Sequence, residues 1–196
     1  MCGIAGFSGN YSVELLEHAG SAIAHRGPDA DGIWFDAGAE IGIAHRRLSI
    51  IDLSPLGHQP MASSDGQVVL VFNGEIYNYR ELRTELESKG YTFRGHSDTE
   101  VLLTMYLAHG EAMLDRLNGI FAFAIWDRRS RSLLIVRDAL GVKPLYYVET
   151  GQGVAFASEI KGLISTSVAA VDGGVRHVED AGAAMKEIVD SVQRVG

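Results

Sequence analysis

Ile120-Phe121-Ala122-Phe123-Ala124-Ile125-Trp126 is an apolar run of strand length, and the polar Asp127-Arg128-Arg129-Ser130 behind it leads into a second run, Ser132 to Arg137. Leu145 to Val148 and Val154 to Ala157 repeat the arrangement across Glu149-Thr150-Gly151-Gln152-Gly153. Connections this short join antiparallel neighbours, because a parallel pair needs a much longer crossover. Further upstream, Gln67 to Phe72 is β-branched and apolar, a buried strand that ends in the turn signal Asn73-Gly74-Glu75. Residues 3–8, Gly32 to Phe35 and Glu40 to Ala44 are three more strand-like runs, and Arg46 and Arg47 fall in the loop after them. Helices fill the middle. Asn78 with Glu81, and Ser97 with Glu100, have capping-box spacing, and Gly90 and Gly110 supply stops. A short helix is expected from Glu111 to Leu117, and an earlier one, capped by Ser12, places Leu15, Leu16, Ala19 and Ile23 on one side. Strands, then helices, then strands predict an α+β layered domain.

Composition narrows the class of function. With 196 residues, 46% of them apolar, the chain can bury one proper core. A net charge of −8 argues against nucleic acid or an anionic membrane as the main partner. No apolar stretch is long enough to span a bilayer, and no basic segment precedes an apolar run as in a secretory signal. The single cysteine excludes an intramolecular disulfide and suits a reducing compartment, so a cytoplasmic location is expected.

That cysteine is Cys2, within Met1-Cys2-Gly3-Ile4-Ala5-Gly6. Loss of Met1 would give one residue both a thiol and a free α-amine. The amine has a pKa of about 7.7–8, so part of it is neutral near pH 7 and can take the thiol proton. A small buried hydrophobe is the bland alternative. Three polar clusters accompany it: Arg46-Arg47, Asn73-Gly74-Glu75 and Ser97-Asp98. Singly they read as exposed arginines, a turn and an N-cap.

Together with Cys2 they match one pattern. Met1-Cys2-Gly3-Ile4, His25-Arg26-Gly27-Pro28-Asp29, Arg47-Leu48-Ser49-Ile50-Ile51-Asp52, Asn73-Gly74-Glu75-Ile76-Tyr77-Asn78 and Ser97-Asp98-Thr99-Glu100 occur in order, as do Gly141-Val142-Lys143-Pro144-Leu145-Tyr146 and Phe156-Ala157-Ser158-Glu159. Residues 1 to about 162 resemble the class II glutamine amidotransferase domain of glutamine-hydrolysing asparagine synthetases. The resemblance implies an N-terminal-nucleophile hydrolase, a four-layer α/β/β/α sandwich of two antiparallel sheets, here with a C-terminal helical extension. It implies L-glutamine as substrate and Cys2 as nucleophile. Asn73 and Gly74 would form the oxyanion hole. Arg47 would hold the α-carboxylate, Asp98 the α-ammonium, with Glu75 assisting and the backbone of Ile50 and Ile51 lining the pocket. No metal or cofactor site is implied on these residues.

Asparagine synthetases continue into an ATP-using domain with a Ser-Gly-Gly-x-Asp-Ser loop, which has no counterpart among these residues. ATP and magnesium would belong to that domain, and an ammonia-accepting synthetase domain or chain is the expected partner. The division expected is an amidotransferase domain over 2–162 and a helical tail over 163–196. Val168, Val171, Val175, Val178, Gly182, Met185, Val189 and Val192 form a heptad seam, and the tail resembles the signalling helix of methyl-accepting chemotaxis receptors. A seam of this kind predicts association into a homodimer. The competing reading is a non-catalytic glutamine-binding or interaction module, dimerised by its tail.

Overall fold

A computed structural model describes residues 1–48, 55–167 and 176–177. In chain order the elements are β1 (Gly3–Gly9), α1 (Val13–Ala22), β2 (Ala30–Asp36), β3 (Ile41–Arg47), β4 (Met61–Ala62), β5 (Val68–Ile76) and α2 (Tyr79–Ser88). There follow α3 (Asp98–His109), β6 (Gly119–Asp127), β7 (Ser132–Arg137), β8 (Tyr146–Thr150), β9 (Gly153–Ala157), α4 (Ile160–Ser167) and β10 (Arg176–His177). One sheet has the order β10-β8-β9-β1-β3-β2 and the other β4-β5-β6-β7, and their pairings are antiparallel.

Alternation along the strands explains the layers. Ala5, Phe7 and Ala44 face Leu16 and Ala19 of α1 and Leu163 of α4, on the outside of the first sheet. Leu70, Phe72, Phe123 and Ile125 face α2 and α3, outside the second. Ile4, Ile41, Ile43, Val69, Val71, Ala124, Trp126 and Phe156 fill the space between the sheets. Both faces of the central strands are therefore buried, so they read as unbroken apolar runs. Each such side chain contributes about 1.5–3 kcal/mol when fully buried. The result is the expected α/β/β/α sandwich.

Several local expectations are corrected. Asn73-Gly74-Glu75 is not a turn, because β5 runs on to Ile76 and pairs with β6 throughout. The glycine serves a close approach instead: a Cβ on Gly74 would sit 2.3 Å from the Ile120 carbonyl oxygen. Arg46 and Arg47 end β3 rather than lying in a loop. Asn78 makes no side-chain cap hydrogen bond; its side chain donates to the Arg116 carbonyl (2.9 Å) and accepts from Asn118 N–H (3.0 Å), tying down the approach to β6. Ser97 does cap α3, accepting from Glu100 N–H at 3.2 Å. Gly110–Arg116 forms a 3-10 helix where a short helix was expected.

α4 joins α1 in the layer outside the first sheet, Leu163 packing with Leu16 and Ala19, and of the tail expected over 163–196 only residues 163–167 and 176–177 are described. The heptad positions from Val168 to Val192 lie outside the described residues. Arg176–His177 depart from a continuous helical tail, since they are extended and pair with Tyr147 and Tyr146 of β8, whose edge offers backbone partners.

Candidate active site

At one end of the space between the sheets the inward positions change character. Ile4 is preceded two residues earlier by Cys2; Ile41 and Ile43 are followed by His45 and Arg47; Val69 and Val71 are followed by Asn73 and Glu75. Period-two alternation therefore brings these polar side chains face to face where the apolar filling stops. Cys2, Arg47, Asn73, Gly74, Glu75 and Asp98 all line one cavity open to solvent. Ile50 and Ile51 lie outside the described residues.

Cys2 is held on two sides. Its Sγ lies 3.4 Å from Leu48 N–H, which donates to it, and 3.5 Å from the Leu48 carbonyl. Its own carbonyl accepts from Arg26 Nε at 2.9 Å. Arg26 is fixed in turn by Glu159, 2.9 Å from Nη1. Partial burial would raise the Glu159 carboxyl, but hydrogen bonds from Arg26, Lys161 and His25 outweigh it and hold the group down at about 2. Ile4 N–H donates to Ser158 Oγ (3.0 Å) while Ser158 N–H donates to Ile4 O (2.8 Å), which locks the strand behind the thiol.

The edge of β5 supplies hydrogen-bond donors. Asn73, Glu75 and Tyr77 turn their backbone groups toward β6, as the Tyr77 N–H to Asn118 O bond (2.7 Å) marks. Phe72, Gly74 and Ile76 therefore point theirs off the opposite edge, past the end of the two-residue β4. Phe72 N–H donates to Gln59 Oε1 (2.6 Å) and Ile76 N–H to Asp98 Oδ2 (3.1 Å). Gly74 N–H lies between them, at the cavity. The Asn73 side chain, only 2% exposed, leaves its Nδ2 without a partner among the described residues. Buried donors are rarely left unsatisfied, so an orphan facing a cavity marks a place for an incoming acceptor.

The charged groups divide by strand parity. Arg46 turns outward, giving Nε to the Gly20 carbonyl (2.9 Å) beside α1, with Nη1 3.8 Å from Asp31. Arg47 turns inward to the cavity. Asp98 opens α3 and is 4% exposed. Burial pushes its carboxyl up to about 6, against the hydrogen bonds from Ile76 and Thr99 N–H, and the nearby Glu75 charge adds to the rise. An opposite charge brought beside it would stabilise the ionised form.

Among the lining residues that sequence reasoning did not assign to the site are Gln59, Thr99 and Lys143. Gln59 is 5% exposed and spans from Phe72 N–H to Thr99 Oγ1 (3.5 Å), joining β5 to α3. Its irregular loop carries no periodic signal. Thr99 lines the cavity beside Asp98, and its only visible role in the sequence is the first turn of α3. Lys143 sits on a loop organised by buried Asp138, which accepts from Val142 N–H and Lys143 N–H at 2.9 Å each. Met1 also lines the cavity, its sulfur 3.6 Å from Lys143 Nζ.

Known proteins are similar to this chain in sequence and in fold. The profile of the glutamine amidotransferase domain family matches residues 1–183. Asparagine synthetase [glutamine-hydrolyzing] 1 of Bacillus subtilis is 46% identical over 171 residues, covering 84% of this chain and 27% of the relative. Amidase chry2 of Gibberella zeae is 41% identical over 153 residues, covering 78% of this chain and 23% of the relative. The chain thus spans about a quarter of the length of these relatives. Among solved structures, the glutamine phosphoribosylpyrophosphate amidotransferase of B. subtilis superposes with a TM-score of 0.77 at 22% identity, over 91% of this chain and 46% of that one, a likeness of fold.

Proposed function

This chain belongs to the glutamine amidotransferase domain family, and from that premise we propose that it hydrolyses L-glutamine to glutamate and ammonia through a thioester on Cys2. The observation that carries the reading is the orphaned Asn73 Nδ2 beside Gly74 N–H, two donors at the cavity that also holds the Cys2 thiol. Once Met1 is removed, the Cys2 α-amine takes the thiol proton and the sulfur attacks the side-chain amide carbon of glutamine. The carbonyl electrons move to oxygen, and the oxyanion is received by Asn73 Nδ2–H and Gly74 N–H. Collapse breaks the carbon–nitrogen bond, and the protonated amine returns its proton to the departing nitrogen, which leaves as ammonia. Water, deprotonated by the same amine, then attacks the thioester; glutamate departs and the thiol is restored.

The amino-acid head is placed by charge. Arg47 takes the α-carboxylate through two parallel hydrogen bonds, for which a guanidinium is well shaped. Asp98, ionised above about pH 6, takes the α-ammonium, with Glu75 beside it. Ile50 and Ile51 complete the pocket through their backbone. The ammonia is consumed by a synthetase domain or chain that activates an acceptor, asparagine synthesis being the first candidate, in a reducing cytoplasm that keeps the lone thiol free.

Ammonia release from glutamine, measured together with the intact mass of the protein, tests the reading. The protein without Met1 should turn over glutamine, and Cys2→Ala should fold normally yet release ammonia only at the uncatalysed rate. Turnover by Cys2→Ala would overturn the assignment.

A further inference from the structure

His45 is the one polar side chain on the inward face of β3 between Ile43 and Arg47, paired with Ile4 on β1 and Gly32 on β2, and it is 1% exposed. Its Nε2 lies 3.3 Å from the Phe72 carbonyl of β5, in the opposite sheet. Desolvation holds the imidazole pKa down at about 3, so the ring is neutral. A carbonyl only accepts, so Nε2 carries the proton and donates it. Nδ1 is then a bare acceptor, with no partner among the described residues. An unpartnered buried acceptor is a cost to the fold that an apolar residue among Ile4, Ile43 and Val71 would avoid.

Position is what the ring supplies in return. The carbonyl it holds belongs to the peptide group that leads into Asn73, and its own strand ends two residues later at Arg47. Apolar packing between the sheets is non-directional, so it sets their spacing without fixing how one slides over the other. A second cross-sheet polar tie, Arg128 to Asp36 at 2.6 Å, is exposed and lies at the far end of the sandwich. Phe72 N–H is already taken by the Gln59 side chain, so β5 is pinned both by the loop before β4 and by the facing sheet just before the oxyanion donors.

We propose that His45 is a positioning residue: its hydrogen bond to the Phe72 carbonyl sets the Asn73 donor, carried on one sheet, against the Cys2 thiol and Arg47, carried on the other. The inference rests on the glutaminase reading above. It places His45 out of contact with glutamine, acting through the frame of the oxyanion hole, so its loss should fall on kcat and spare KM.

His45→Gln and His45→Met test this in the full chain, because both are unbranched and only glutamine keeps a donor near the Nε2 position. His45→Met should lose roughly 10- to 100-fold in kcat, the scale of a small misplacement of reacting groups, with KM for glutamine within about threefold of wild type. His45→Gln should restore kcat to within about threefold of wild type. Equal kcat in the two folded variants, or a loss carried by KM, would overturn the proposal. Where circular dichroism finds neither variant folded, the His45 ring N–H resonance of the wild-type protein decides. It should shift when a diazoketone analogue of glutamine alkylates Cys2, and an unmoved resonance would overturn the proposal. A wild-type protein that releases no ammonia removes the glutaminase reading itself, and this inference with it.

Discussion

At one end of the layer between the sheets, Trp126, Leu133 and Val154 close against Ile41 and Val69, each at most 7% exposed. At the other end, β1, β3 and β5 present Cys2, Arg47, Asn73 and Glu75 to a cavity. The strands and their alternation continue without a break; only the residue types at the inward positions change. At the closed end a side chain stabilises the fold by filling space, whereas at the open end polar groups line a cavity and Asn73 Nδ2 has no partner among the described residues. Stability and function should therefore separate along the same strands.

The sharpest test of that separation is Asn73→Ala. Losing one oxyanion donor should lower kcat by about 100- to 1,000-fold, as in other acyl-transfer sites. Because Nδ2 has no partner among the described residues, its removal breaks no hydrogen bond made by that donor there, so thermal unfolding should show the variant close to wild type in stability. A fall in both kcat and stability would erase the distinction between the two ends. The mirror experiment is Leu133→Ala. The cavity it opens should cost about 2–5 kcal/mol by denaturant titration, while the folded protein keeps its kcat/KM for glutamine.

The two adjacent arginines offer a finer version. Arg47→Ala should raise KM for glutamine about 10- to 100-fold, on the scale of about 1.5–3 kcal/mol for hydrogen bonds to a charged group, with a smaller change in kcat. Arg46→Ala should leave KM unchanged, since that side chain is spent on the Gly20 carbonyl and Asp31 on the outer face. If Arg46→Ala shifted KM as much as Arg47→Ala, the parity assignment would fail.

Why that parity was not legible follows from the core. Ile41 to Ala44 and Val68 to Phe72 are buried on both faces, so no polar residue marks which way each one points. Periodicity alone does not distinguish Arg46 from Arg47, and only the family resemblance singled out Arg47; β3, running through both, separates them by parity. Asn73-Gly74 is a local turn signal, and it lost to a tertiary demand, the close approach of β6 that excludes a Cβ at Gly74. Two local N-cap signals survived, since Ser97 caps α3 and Ser12 caps α1 by accepting from Leu15 N–H, whereas Asn78 is drawn away to Arg116 and Asn118. Cys2, Asn73 and Asp98 were assigned together through the family pattern, whereas Gln59, bridging two distant elements from an irregular loop, had nothing in its neighbours to single it out.

Asp98 gives the smallest effect, and one that reads the cavity directly. Its carboxyl is held at about 6 instead of about 3.8, chiefly by burial. Between those values the folded state binds a proton that the unfolded chain has released, so this group's contribution to stability falls as pH rises from about 4 to 6. A glutamine ammonium placed beside it selects the ionised form. Binding should therefore weaken below pH 6, with KM rising roughly tenfold per unit as the ionised fraction declines. Glutamine should also protect against thermal unfolding more strongly at pH 7 than at pH 5. Asp98→Asn removes the charge while keeping the shape, so its KM should be high at all pH values and lack the inflection near 6. An inflection that persists in Asp98→Asn would move the titrating group elsewhere and would leave the ammonium contact to be reassigned.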